Sequence, residues 1–155
     1  PVSLIELGPA HSLGDAVVYS PKDKTLCSGD LLFKDAHPIV WEGPVSSWIA
    51  GLRRLLDMDI ETVVPGHGPL TDKSGLREGL HYLEVLSDEA RARFDAGMTF
   101  EDAVRDITLD EFEGWLDPER VYVNVHTLYR DFTGTGKKPH VLSLFAGMAR
   151  LARGA

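Results

Sequence analysis

The order in which β-rich and helical segments follow one another limits the folds open to this chain more than any other feature. Three β-rich runs open the sequence, at residues 2–7, 15–19 and 25–33. A Pro/Asp-containing turn at residues 20–23 predicts that the second and third runs form an antiparallel hairpin. Apolar residues at helical spacing follow Pro44, and residues 60–64 form another short β-branched run. This β-β-β-α-β order predicts an α/β fold, in which a mixed β-sheet carries helices on one face.

The remaining sequence has apolar residues at spacings of three and four, which is typical of helices. Helices are predicted at residues 72–96, 101–107, 118–132 and 141–153. Thr99 is expected to cap the second of these, and residues 134–139 are expected to form a loop because they are rich in Gly and Pro. We therefore predict two parts: residues 1–97, which contain the sheet, and residues 98–155, a helical extension packed on it.

Composition and charge exclude several classes of function. The chain has 155 residues, of which 43% are hydrophobic, enough for an ordinary globular core. Sixteen Lys and Arg against 24 Asp and Glu give a net charge of -8, which argues against nucleic acid as a partner. No apolar run approaches the roughly 20 residues of a membrane span, so no membrane partner is expected. Cys27 is the only cysteine, which favours a reducing cytoplasm, and we expect it to be a thiol in the core.

Three segments place a side chain suited to metal binding directly after a predicted strand. They are residues 8–15 around His11, residues 28–30 ending in Asp30, and residues 63–68 around His67. Imidazole and carboxylate groups are ligands of Zn²⁺ and Fe²⁺, and strand ends would hold them at one edge of a sheet. Taken singly, each has a simpler explanation: a loop histidine is commonly a surface residue, and such an aspartate commonly belongs to a turn. Residues 65–69 are expected to form a loop, because their prolines lack the amide hydrogen that a strand uses.

Together and in this order, the three segments resemble the second half of the metallo-β-lactamase superfamily. That family carries a His-Thr-Pro-Gly-Asp-like segment, then a strand ending in Gly-Asp, then a strand ending in Pro-Gly-His-Gly. The chain has His-Ser-Leu-Gly-Asp at residues 11–15, Ser-Gly-Asp at residues 28–30 and Pro-Gly-His-Gly at residues 65–68. The resemblance implies that residues 1–97 are the C-terminal half of an αββα sandwich.

The resemblance also implies a role for each candidate residue. His11 would bind one metal ion and His67 a second, and Asp30 would bridge the two. Asp15 would hold the His11 loop in place. His37 lies where family members carry a loop over the active site, so it would either contact substrate or be an ordinary loop residue. An aspartate at position 30, where β-lactam-destroying members have cysteine, favours the glyoxalase II-like and lactonase-like branch.

The activity that the resemblance implies is hydrolysis at a binuclear metal centre. Two Zn²⁺ ions, with Fe or Mn as alternatives, would hold a hydroxide that attacks an ester, thioester, lactone or similar small-molecule substrate. The His-x-His-x-Asp-His segment that supplies the family's other ligands does not occur in this sequence. The chain also opens at Pro1, without an initiator Met and almost directly in a predicted strand. We therefore expect the N-terminal half of the fold to be a cleaved fragment, a separate chain or a homodimer mate, and this chain alone to be inactive.

Two other functions remain open. The first is a non-enzymatic half-fold that binds a partner or dimerises, since a half sandwich exposes an apolar face. The second keeps the fold but uses a single iron ion for persulfide dioxygenation. Intact mass and metal analysis of the purified protein would separate these from a two-metal hydrolase.

Overall fold

The computed structural model describes residues 1–134 and 140–154 of the chain. The strands in this part are β1 (Ser3–Glu6), β2 (Ala16–Ser20), β3 (Thr25–Phe33) and β4 (Thr62–His67). The helices are α1 (Val45–Leu56), α2 (Lys73–Asp95), α3 (Phe100–Asp106), α4 (Val121–Thr133) and α5 (Val141–Leu151). Single 3₁₀ turns at Asp110–Phe112 and Pro118–Arg120 lie between α3 and α4. The predicted 134–139 loop falls mostly on residues 135–139, which lie outside the described residues.

The four strands form one mixed sheet in the order β1-β2-β3-β4. β1 pairs with β2 and β2 with β3 in antiparallel fashion, which is the predicted hairpin, whereas β4 runs parallel to β3. The connection between these parallel strands contains α1, as parallel neighbours require. The predicted α/β class, with a mixed sheet and helices, is confirmed.

The fourth strand corrects one prediction. It continues to His67, through the Pro65-Gly66 segment that we expected to lie in a loop. The pairing is irregular here: Gly29 lies opposite Pro65 and Phe33 opposite His67, with register shifts between these pairs. A proline is tolerated because β4 has no regular strand on its other side among the described residues, so little pairing is lost. The strand therefore carries His67 directly beside the end of β3.

The two faces of the sheet have different surroundings. Val17, Leu26 and Val63 are fully buried beneath α1 and α2, in the main core. Cys27 points the other way and is exposed, so our expectation of a core thiol is wrong. Successive strand residues face opposite sides, and its neighbours Leu26 and Ser28 occupy the buried side.

The helical extension contacts the rest of the chain through α4. Asn124 is fully buried and accepts a hydrogen bond from the Val40 amide at 2.8 Å, while Thr127 donates one to the Val40 carbonyl at 2.8 Å. The Asp131 carboxylate accepts one from the Val45 amide at 3.2 Å, at the start of α1. The loop between β3 and α1 is thus held against α4. The division at residue 97 itself stays a prediction.

Within the part of the chain that the structure describes, every helix is too short or too polar to traverse a lipid bilayer.

Candidate metal centre

His11 lies in the loop between β1 and β2, and Asp15 organises that loop. One oxygen of the Asp15 carboxylate accepts hydrogen bonds from the amides of Ala10 at 3.1 Å and Ser12 at 2.8 Å. The other oxygen accepts the Ser12 hydroxyl proton at 2.8 Å. These bonds fix the backbone on both sides of His11, because a carboxylate is a strong acceptor for several donors at once.

A backbone carbonyl group also fixes the orientation of the His11 ring. Its Nδ1 atom lies 2.8 Å from the carbonyl oxygen of Ile39, which can only accept a hydrogen bond. The proton of the neutral ring is therefore on Nδ1, and the lone pair is on Nε2. This is the arrangement that metal-binding histidines commonly have, in which the second ring nitrogen donates to a carbonyl or carboxylate.

Asp30 lies near the end of β3, where two glycines allow its carboxylate to approach β4. Gly29 has φ +53°, a left-handed conformation that residues with side chains rarely adopt. A Cβ atom on Gly66 would collide with the Asp30 carboxylate and with the Gly29 backbone. The Ser-Gly-Asp and Pro-Gly-His sequences thus meet because both central residues are glycine.

His67 completes the group at the end of β4. Its ring stacks on Phe33, with ring centroids 4.5 Å apart and an interplanar angle of 11°. Phe33 is buried, so this contact supports the imidazole of His67 from one side. The His67 side chain is otherwise accessible, with 54% of its surface exposed. The stacking partner was not foreseen from the sequence, because it depends on the irregular pairing of β3 and β4.

The structure brings the three predicted ligands together around one carboxylate. The His11 Nε2 atom lies 3.5 Å from Asp30 Oδ2, and the His67 Nε2 atom lies 3.3 Å from Asp30 Oδ1. Both separations exceed those of charge-assisted hydrogen bonds, which are about 2.7–2.9 Å. Two ligands of one tetrahedral Zn²⁺, at about 2.0–2.2 Å from the ion, lie roughly 3.3–3.5 Å apart. The identities and separations of these atoms therefore fit two metal ions that share Asp30.

The candidate centre is incomplete because it has too few metal ligands. Within residues 1–134 and 140–154, no group of three or more His, Cys, Asp and Glu side chains is placed to hold a metal ion. Asp30 instead forms two separate pairs, one with His11 and one with His67. Zinc sites in proteins usually have three or four protein ligands, so each pair needs further ligands from elsewhere. The metal roles of these residues stay predictions.

His37, the candidate substrate-loop residue, is buried, with only 4% of its surface exposed. Its Nδ1 atom lies 2.9 Å from the hydroxyl of Tyr82, which is itself fully buried. Burial, and secondarily the charge of Arg120, lowers the pKa of His37 to about 4. Burial likewise raises the pKa of Tyr82. His37 is therefore a neutral, internally bonded residue at pH 7, and it does not join the three candidate ligands.

Arg120 connects the loop that contains His37 with the side chains around the candidate metal ligand His67. Its guanidinium donates a hydrogen bond to the His37 carbonyl oxygen at 2.8 Å and pairs with Asp117 at 2.9 Å. The same group lies 5.4 Å from the centroid of the Phe33 ring, on which His67 stacks. Arg120 and Phe33 are far apart in sequence, so only the folded structure shows that they support His67 together.

Comparison with known proteins agrees with the motifs. Residues 1–67 match the family model of the metallo-beta-lactamase superfamily, which confirms the likeness inferred from the sequence. The glyoxalase II-like and lactonase-like branch stays a prediction. Over 65 residues the chain is 38% identical to 2,4-dinitroanisole O-demethylase subunit alpha of Nocardioides sp. (strain JS1661). That stretch is 41% of this chain and 20% of the relative, so the chain spans only a fraction of the protein it matches.

Solved structures of metallo-β-lactamases are also similar. The metallo-β-lactamase from Pontibacter korlensis has a TM-score of 0.48 at 28% identity, over 54% of this chain and 41% of its own. The DIM-1 metallo-β-lactamase has a TM-score of 0.49 at 23% identity, over 54% of this chain and 41% of its own.

Proposed function

We propose that this chain, whose residues 1–67 match the metallo-β-lactamase superfamily, is one half of a metal-dependent hydrolase. The observation that supports this most is the pair of contacts at Asp30. One carboxylate meets two imidazole nitrogens, each through a different oxygen, at separations of 3.3 and 3.5 Å. This arrangement fits a carboxylate that bridges two metal ions through its two oxygens, whereas a charge-assisted hydrogen bond would be shorter.

The candidate ligands and the residues around them would have separate roles in the metal centre. His11 presents the lone pair of Nε2, because Ile39 accepts the proton on Nδ1. Asp15 keeps the His11 loop from moving, and Phe33 supports the ring of His67. Bound metal ions would lower the pKa of a water molecule and polarise the electrophilic group of the substrate. Asp30 would contribute one carboxylate oxygen to the ion bound by His11 and the other to the ion bound by His67.

The missing ligands would come from a second half that covers the exposed side of the sheet. Leu4, Val18, Cys27 and Val64 lie in one row across all four strands, since each is paired in register with the next. Leu4 is 76% exposed and Val18 38% exposed, so apolar surface faces outward where a second sheet would pack. We propose that the occupant is the N-terminal half of the same fold, as a fragment or separate chain, with a second copy of this chain as the alternative. The single free thiol of Cys27 is compatible with a cytoplasmic location.

The substrate would be a small molecule with a polarised bond to oxygen or sulfur. Esters, thioesters and lactones are the first candidates, because metal-activated water attacks their carbonyl carbon. The relative named as an O-demethylase adds a second candidate, an aryl methyl ether bearing electron-withdrawing groups. Parallel assays with 4-nitrophenyl acetate and with 2,4-dinitroanisole would distinguish the two.

The test is metal content and hydrolysis in a protein that carries both halves. We expect about two metal ions per active centre, and loss of both metal and hydrolysis in the Asp30→Ala variant. The matched control is Asp88→Ala, which removes an exposed carboxylate from α2 and should change neither. One iron per centre with oxygen consumption would favour the dioxygenase, and a metal-free complex of normal affinity would favour a partner-binding half-fold. Full hydrolysis by the Asp30→Ala variant would contradict the proposal.

A further inference from the structure

A cavity lies beside the loop that contains His37. Its volume is about 450 Å³, within the range of small-molecule sites. Phe112 and Trp115 from the segment after α3 form part of its wall, together with apolar residues that include Leu109 and Val121. None of the three candidate metal ligands is among the described residues that line it.

One polar side chain in that wall is almost entirely buried and has an unused hydrogen-bonding atom. His37 is 4% exposed, and its Nδ1 atom is engaged with the Tyr82 hydroxyl. No hydrogen bond from any described residue to its Nε2 atom is present, and His37 lines the cavity. Because His37 lines the cavity, this nitrogen is available for a hydrogen bond with a molecule that enters it.

The surrounding hydrogen bonds determine which ring nitrogen carries the proton. The Val40 amide donates to Asn124 Oδ1 at 2.8 Å, which fixes the orientation of the Asn124 side chain. Asn124 Nδ2 then donates to the Pro38 carbonyl at 2.9 Å and, more weakly, to the Tyr82 hydroxyl oxygen at 3.4 Å. The hydroxyl proton of Tyr82 is left with one acceptor, His37 Nδ1. A neutral His37 therefore has its proton on Nε2 and presents an N–H donor to the cavity.

Charge at the mouth of the cavity limits what can enter. Asp110 and Glu113 are exposed and line the opening. Two carboxylates at one rim disfavour an anion, and no Lys or Arg is among the described residues that line the cavity. The aromatic wall, the His37 donor and the acidic rim together define the ligand.

We propose that this cavity binds a small, uncharged aromatic molecule that carries a hydrogen-bond acceptor. The ring of the ligand packs against Trp115 and Phe112, and its acceptor receives the His37 Nε2 proton. The low pKa of His37, about 4, keeps the imidazole neutral at pH 7, so the site offers a dipolar donor without a positive charge. This site is independent of the proposed hydrolase activity.

The test uses three probes of similar size with the full chain, followed by ¹H–¹⁵N NMR. Acetophenone has a ring and a carbonyl acceptor, ethylbenzene lacks the acceptor, and benzoate adds a negative charge. We expect acetophenone to shift the His37 Nε2 and Trp115 indole resonances and to bind roughly two- to tenfold more tightly than ethylbenzene, the worth of one neutral hydrogen bond. Benzoate should leave both resonances unchanged. Equal binding of acetophenone and ethylbenzene, or shifts centred instead on Trp41, which lines a different cavity, would overturn the proposal.

Two variants make the test specific. His37→Phe should reduce acetophenone binding to the level of ethylbenzene. The Asp110→Asn/Glu113→Gln variant changes only exposed rim residues, and it should allow benzoate to bind while acetophenone binds as before. Because the second variant poses no threat to the core, it decides the question even where His37→Phe fails to fold. Continued exclusion of benzoate from this neutralised rim would refute the assignment of ligand charge.

Discussion

Acidification should destabilise the protein through His37, and the size of the effect follows from its burial. The ordinary pKa of histidine is about 6.5, and burial lowers that of His37 to about 4. The folded state therefore binds fewer protons than the unfolded state between these values. A depressed histidine pKa favours folding above pH 6.5, and this contribution is lost as the pH falls toward 4. With these two pKa values, the free energy of unfolding drops by about 2 kcal/mol at pH 5 and about 3 kcal/mol at pH 4, relative to pH 7.

The charged and titratable groups around His37 support this direction. Arg120 disfavours a second positive charge, Asp117 acts weakly in the opposite sense, and the Tyr82 hydroxyl stays neutral because burial raises its pKa. Urea unfolding at pH 7, 5 and 4 would measure the effect, with His37→Gln as the test variant. Glutamine can still accept the Tyr82 proton but does not titrate, so the variant should lose about 3 kcal/mol less than the wild type between pH 7 and pH 4.

A matched control replaces a histidine on the surface. His81 is exposed, with its Nε2 atom 2.6 Å from the Glu111 carboxylate. The His81→Gln variant should keep the loss of stability that arises from His37. Identical pH profiles for the wild type and His37→Gln would refute the view that His37 is a buried neutral imidazole.

Three further changes test the candidate centre and its surroundings. Asp15→Ala removes the acceptor of the Ala10 and Ser12 amides, and zinc affinity in the assembled protein should fall roughly 10- to 100-fold by competitive titration; unchanged affinity would mean that the loop needs no such anchor. Gly66→Ala should lower the free energy of unfolding by about 1–3 kcal/mol through its collision with β3, whereas Gly14→Ala, which has open space, should not. Val18→Lys should prevent association with a second half, as measured by size-exclusion chromatography with light scattering, while changing the free energy of unfolding by less than about 0.5 kcal/mol. Leu70 is exposed outside the strands, so the Leu70→Lys control should associate normally.

The sequence was most informative where the pattern is local. The alternation of β-rich and helical segments predicts the order of the elements, and Thr99 caps α3 as expected, with its hydroxyl accepting from the Asp102 amide. The positions of His11, Asp30 and His67 near strand ends also bring them to one edge of the sheet, as expected from the strand order. These inferences need only near neighbours in the chain.

The features that could not be predicted depend on partners distant in sequence. Cys27 lies in a β-rich run, and only the placement of the helices shows which side of β3 is buried. Pro65 lies in a strand because its pairing with β3 is irregular and, within the described residues, the other side of β4 has only an isolated bridge at Val63. The network of His37, Tyr82 and Asn124 joins residues up to 87 positions apart, since its components come from a loop, α2 and α4. No spacing rule relates such residues.

The most direct test of the two-metal account is a zinc titration of this chain alone and of the chain combined with the half that covers its sheet. The account predicts weak binding by the chain alone, because Asp30 and one histidine give only two ligands for each ion. It predicts about two tightly bound zinc ions in the assembled protein, and the loss of both in the Asp30→Ala variant. Tight binding of two ions by this chain alone, or two ions retained in the assembled Asp30→Ala variant, would contradict it.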